Sequence, residues 1–129
     1  MKKSLLIAVS VVLLIGFISC STMDSPKNAL NWAGVYTGII PAASASGIDV
    51  EITLNSDNTY KVIYRYIDRS NASYVHIGDF KWDNTGNIIT LSGKEIPPFY
   101  KVEENVLIQL DLKRKIIQGE FAENYKLRK

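Results

Sequence analysis

Ile48-Asp49-Val50-Glu51-Ile52-Thr53-Leu54, followed after a short gap by Tyr60-Lys61-Val62-Ile63-Tyr64-Arg65-Tyr66, is the stretch on which the fold turns. In the first run Ile48, Val50, Ile52 and Leu54 alternate with Asp49, Glu51 and Thr53. A repeat of two puts alternate side chains on opposite faces, as in a strand with one face buried and one in water. In the second run Tyr60, Val62, Tyr64 and Tyr66 alternate with Lys61, Ile63 and Arg65. Asn55-Ser56-Asp57-Asn58 lies between them, and short polar side chains of this kind bond to nearby backbone and turn the chain. The two runs together predict a β-hairpin.

Working outward, the pattern repeats. From Trp32 onward the signal is strand-like. Asp68 to Ser73 is a polar break, and Tyr74 to Trp82 reads as a strand in which Gly78 allows a bulge or a close approach. Asp83 to Asn87 is a turn and Ile88 to Leu91 a short strand. Pro97-Pro98 cannot donate to a ladder and marks an edge or loop. Phe99 to Val102 and Val106 to Leu110 flank Glu103-Glu104-Asn105 as a second hairpin, and Ile116-Ile117 and Tyr125 to Leu127 read as closing strands. No capped amphipathic helix of ten residues is found. Many short strands with a turn every 8 to 12 residues predict an all-β sandwich or barrel. A small antiparallel barrel is favoured, because closure removes the open sheet edges.

The amino terminus has a different character. Lys2 and Lys3 precede a run from Ser4 to Ile18 that is almost wholly apolar. A basic start followed by an apolar stretch reads as an export signal. A permanent transmembrane helix needs roughly 20 apolar residues, so a removable signal is expected. Phe17-Ile18-Ser19-Cys20 looks like a lipobox, the motif at which bacterial lipoproteins are cleaved and acylated on cysteine. Cys20 is the only cysteine, so no intrachain disulfide can form. Acylation also removes a lone thiol from an oxidising compartment. Each buried methylene contributes about 0.8 kcal/mol, so more than one lipid chain anchors stably. Residues 1–19 are thus expected to be a signal, 20–30 the lipidated start and a linker, and 31–129 the barrel domain. Ser21, Thr22, Met23 and Asp24 contain no acidic run, which favours an outer-membrane anchor facing the periplasm.

The charge balance changes with processing. The chain carries 15 Lys and Arg against 13 Asp and Glu; Lys2 and Lys3 leave with the signal, so what remains has 13 of each. No basic stripe interleaved with aromatics suggests a nucleic-acid partner. Lys113-Arg114-Lys115 reads as a solvated turn.

Four pieces stand in order within the domain: Trp32-Ala33-Gly34-Val35-Tyr36-Thr37-Gly38; Pro41-Ala42-Ala43-Ser44-Ala45-Ser46-Gly47-Ile48; Asp57-Asn58-Thr59-Tyr60 with Tyr64-Arg65-Tyr66; and Gly78-Asp79-Phe80-Lys81-Trp82, with Asn105-Val106-Leu107 and Tyr125-Lys126-Leu127 near the end. This succession resembles the amino-terminal domain of the NlpE family, envelope lipoproteins associated with copper homeostasis and surface stress sensing. The resemblance runs from Leu30 to Lys129 and implies a small lipocalin-like barrel. It also implies a Cys-x-x-Cys pair after Pro41, where this sequence has Ala42 and Ala45. A methyl group neither ligates copper nor cycles through a disulfide, and Cu(I) prefers sulfur ligands. No metal or other cofactor is therefore expected at that loop. Gly47 is expected to supply a special backbone angle as the strand begins.

No catalytic set emerges. His76 is the single histidine, flanked by apolar Val75 and Ile77, and Glu103-Glu104 reads as a solvated hairpin end. No glycine-rich phosphate loop is present. The expectation is a non-enzymatic protein whose partners are the membrane, through its lipid, and an envelope protein. Two rivals follow from the same residues. Tyr60, Tyr64 and Tyr66 share a face with Val62 and would line a cavity for a small apolar ligand in a lipocalin-like carrier. A periplasmic inhibitor or interaction module would instead dock through exposed strands or loops.

Overall fold

The computed structural model describes residues 25–29, 31–43, 46–68 and 72–129. The signal stretch, Cys20 and Ala45 lie outside the described residues. A four-residue helix, α1 (Pro26–Ala29), leads into eight strands: β1 (Gly34–Ile40), β2 (Ile48–Leu54), β3 (Thr59–Tyr66), β4 (Ser73–Trp82), β5 (Ile88–Leu91), β6 (Phe99–Glu103), β7 (Val106–Gln109) and β8 (Lys126–Arg128). A short 3-10 helix, Ala122–Tyr125, precedes β8. Every strand pairs antiparallel with the next, and β8 returns to β1 at Thr37 and Arg128, so the sheet closes into a barrel.

The hairpin read from the period-two runs pairs along its whole length, with Ile48 opposite Tyr66 and Leu54 opposite Tyr60. Its turn is held by Asp57, whose carboxylate accepts the Thr59 amide at 3.1 Å and the Thr59 hydroxyl at 2.6 Å. Those bonds hold the Asp57 carboxyl below the usual carboxylate range. Asn58 adopts the left-handed conformation there (φ 66°), which short polar side chains tolerate. Asp83 does the same work after β4. Partial burial pushes its carboxyl up, but the Thr85 hydroxyl and the amides of Ile88, Asn87 and Gly86 outweigh this and lower it.

Inward positions of the strands fill the barrel. Tyr36, Ile52, Tyr60, Val62, Ile89, Tyr100, Val102 and Leu107 are fully buried, and no charged side chain joins them among the described residues. Two glycines matter for sterics. A Cβ on Gly78 would sit 2.6 Å from Ser92 Oγ and 3.0 Å from the Tyr60 ring, so the expected close approach is real. Gly47 has φ +151° and would bring a Cβ within 2.8 Å of Ile39, which accounts for glycine as β2 begins.

The two ends of the barrel differ. One carries the tight turns after β2, β4 and β6 and is plugged by Trp32. The Trp32 ring packs edge-on to Phe80 at 5.6 Å and Trp82 at 5.3 Å. Its indole N–H donates to the Lys27 carbonyl at 3.1 Å, and the Lys27 amide donates to the Gly86 carbonyl at 3.1 Å. The linker expected over 20–30 therefore contains a helical turn docked on the barrel. The other end carries the longer connections after β1, β3, β5 and β7 and forms an open mouth.

Two further differences from the sequence expectation have local causes. Ile116-Ile117 does not form a strand; only a single bridge joins Leu110 to Ile116. The Asp111 carboxylate captures the amides of Lys113 at 2.8 Å and Lys115 at 2.9 Å, which diverts those donors from a ladder. Tyr125, expected to begin the last strand, ends the 3-10 helix, and β8 starts one residue later.

Candidate binding site at the barrel mouth

β3 aims Tyr60, Val62, Tyr64 and Tyr66 at the inside, as their shared period requires. The three tyrosines reach different depths. Tyr60 is buried low in the barrel, Tyr64 is 8% exposed, and Tyr66 is half-buried at the rim. The β3–β4 register brings Tyr74 opposite Tyr64 and His76 opposite Val62. Tyr74 meets the Tyr66 ring edge-on at 5.7 Å, and His76 meets Tyr64 at 6.1 Å. These four rings, with Ile40, Ile48, Glu95 and Pro97, line a cavity of about 280 Å³. Tyr60 is not on its wall.

Below the cavity the Tyr64 and Tyr100 hydroxyls are buried, and neither completes a hydrogen bond. Burial pushes the Tyr64 phenol up to about 12, with the Tyr66 and Tyr60 rings adding and the nearby Tyr100 hydroxyl offsetting. Burial also raises Tyr100 well above the ordinary phenol value. Both groups stay neutral at physiological pH, so they offer polarity without acid–base chemistry. The arrangement suits holding an apolar or aromatic group with one polar atom.

The loop after β1 forms a second recess. Ala42 is half-buried and lines a separate cavity of about 240 Å³ with Ile39, Ile40, Pro41, Ser46, Phe121 and Asn124. The Ser46 hydroxyl donates to the Asp68 carboxylate, tying this loop to the one after β3. Among the described residues no three His, Cys, Asp or Glu side chains gather as a metal-binding set. His76 is half-buried and edge-stacked. Glu103 lies 3.2 Å from Lys101 and Glu104 is exposed in the turn after β6. Lys113-Arg114-Lys115 is an exposed turn, with the Arg114 guanidinium 4.7 Å over the Phe99 ring. No helix among the described residues is long and apolar enough to cross a membrane.

Sequence reading found Tyr64 and Tyr66 but missed Tyr74, His76, Glu95 and Pro97 as their neighbours. Had the hairpin register been extended to the Tyr74–Trp82 strand, Tyr74 would have fallen opposite Tyr64. Nothing local pointed to Glu95 or Pro97, which reach the mouth from the connection between β5 and β6.

Comparison with known proteins agrees with this architecture. The sequence profile of the NlpE N-terminal domain matches residues 36–120. A crystal structure of a candidate lipoprotein from Shewanella oneidensis superimposes with a TM-score of 0.76 at 40% identity, covering 82% of this chain and 95% of that one. The Cpx pathway activator NlpE from Escherichia coli superimposes with a TM-score of 0.57 at 21% identity. That match covers 68% of this chain and 47% of the other, and the likeness is one of fold. No curated protein matches the sequence.

Proposed function

From the premise that this chain belongs to the NlpE family by its N-terminal domain, we propose that it is a lipid-anchored, non-enzymatic module of the bacterial envelope that acts in stress sensing or copper homeostasis through protein contacts. It is held at the outer membrane by acylated Cys20 and faces the periplasm. The observation that carries the reading is a filled barrel with large apolar side chains left on its surface. Ile39, Tyr74, Val75, Ile77, Leu112 and Phe121 are each more than half exposed. Val75 and Ile77 share the outer face of β4, and adjoining exposed apolar side chains of this kind favour association with another protein. Alanine at position 42, where the family resemblance implies a thiol, supports a role that does not depend on ligating the metal. Overproduction of the anchored protein should raise an envelope-stress transcriptional reporter, and Cys20→Ala should abolish the rise. Equal reporter signal from both forms would defeat the reading.

A second reading rests on the mouth cavity. Its Tyr64, Tyr66 and Tyr74 rings suit a small apolar ligand, as in a lipocalin-like carrier. Tryptophan and tyrosine fluorescence titrated with fatty acids and small aromatics separates the two. Saturable micromolar quenching lost in Tyr66→Ala would favour the carrier.

A further inference from the structure

β4 is ten residues long, but β5 covers only Phe80, Lys81 and Trp82. Beyond the Asp79–Ser92 bonds, Ser73 to Gly78 has β3 on one side and, among the described residues, no strand on the other. The parity of the ladder shows which groups are open. Phe80 donates to Asn58 and Tyr66 donates to Ala72, so even-numbered residues of β4 turn their backbone toward β3. The N–H and C=O groups of Ser73, Val75 and Ile77 therefore point out of the sheet.

Edge strands are ordinarily protected by lysine, proline, a bulge or a covering segment. Ser73-Tyr74-Val75-His76-Ile77-Gly78 has no lysine, no proline and no charged residue. Val75 and Ile77 are 53% and 75% exposed on the outer face, and Tyr74 and His76 line the mouth cavity on the inner face. The geometry points to β4 as an acceptor for an extended peptide segment of a partner protein, added as a strand along Ser73–Ile77. Its backbone meets the open groups, one apolar or aromatic side chain enters the cavity beside Tyr66 and Tyr74, and a β-branched side chain packs against Val75. Main-chain bonds supply the affinity in this mode, and alternate side chains supply the selectivity.

The inference rests on the anchored, protein-contact reading above, and the anchor also selects the occupant. A second copy would pair β4 antiparallel about a two-fold axis and invert one barrel against the other. Cys20 lies five residues from Ser25, a reach of roughly 17 Å at full extension. Ten strand residues span about 33 Å. Two inverted copies standing upright on one bilayer from their plugged ends cannot both satisfy that reach. A strand from another protein meets no such limit.

The test uses isotope-labelled, full-length lipidated protein in nanodiscs, with hydrogen exchange read by NMR. The probe is a blocked hexapeptide copying residues 73–78, which supplies an uncharged strand former. The peptide should slow exchange at Val75 and Ile77 at least tenfold, and the same peptide N-methylated at alternate residues should not. Val75→Pro should keep the native circular dichroism, because the Val75 N–H does not face β3, yet lose the protection at Ile77. Unchanged exchange at millimolar peptide, or protection at another strand, would overturn the proposal. So would protection already present without peptide and lost on dilution, which would assign the edge to a second copy. If Val75→Pro leaves the stress reporter intact while peptide binding also fails, the edge proposal falls and the anchored reading stands.

Discussion

Tyr64 and Tyr36 are both buried phenols, yet only one hydroxyl is satisfied. Tyr36 donates to the Trp32 carbonyl at 2.7 Å, whereas Tyr64 has no partner. A satisfied bond contributes on the order of 1 kcal/mol net, while removing an unsatisfied hydroxyl relieves a desolvation cost. Tyr36→Phe should therefore lower stability by about 1 kcal/mol, and Tyr64→Phe should leave it unchanged or slightly raised, both read from urea midpoints. Alkaline pH tests the same residues. The folded Tyr64 phenol titrates near 12, against 10.0 for a free one. The native state thus holds its proton where the unfolded chain has lost it. Stability contributed by burying this neutral phenol is complete below pH 10 and declines as pH rises toward 12. The Tyr64→Phe variant should show a shallower alkaline loss of circular dichroism; an identical profile would refute the assignment. Gly47 was legible in the sequence because only a strained backbone position needs glycine as a strand begins. Ala42 was legible as a chemical absence, since no fold restores a thiol to a methyl group.

At the scale of the element, the hairpin of β2 and β3 was readable because alternation and turn chemistry are both local. Trp32 was not. Its role depends on Phe80 and Trp82, which reach it only after β4 has crossed the barrel. Trp32→Ala should cost roughly 2 kcal/mol, less than a fully buried tryptophan would, because the ring is half-buried. It should also free the Lys27 carbonyl and increase proteolysis before Gly34, measured by limited digestion. Loss of stability without new cleavage would show that α1 is held by Gly86 alone. Ile116-Ile117 shows the reverse failure, in which a promising apolar pair loses its ladder to a neighbouring carboxylate at Asp111.

For the whole molecule, the proposed tether and the barrel would together impose a direction. The chain enters at the plugged end, so acylation at Cys20, as proposed, would turn the tight turns toward the bilayer and the mouth away from it. Cys20→Ala should move the protein from the membrane pellet to the soluble or unprocessed fraction, followed by immunoblot after fractionation. A cleaved Cys20→Ala protein that still sediments with membranes would count against the anchor. A Cu(I) competition titration of the native protein should reveal no sub-nanomolar site; finding one would return copper ligation to this chain.

Period-two alternation and turn residues settled strand content and the antiparallel hairpins from sequence alone, because each depends on neighbours a few residues apart; the anchor expected from the signal-like start lies outside the described residues. Closure of β8 onto β1, the plug at Trp32, the four rings at the mouth and the open half of β4 were decided only in three dimensions. Each joins residues far apart in the chain, and register between non-adjacent segments is set by how the whole interior packs rather than by any single run.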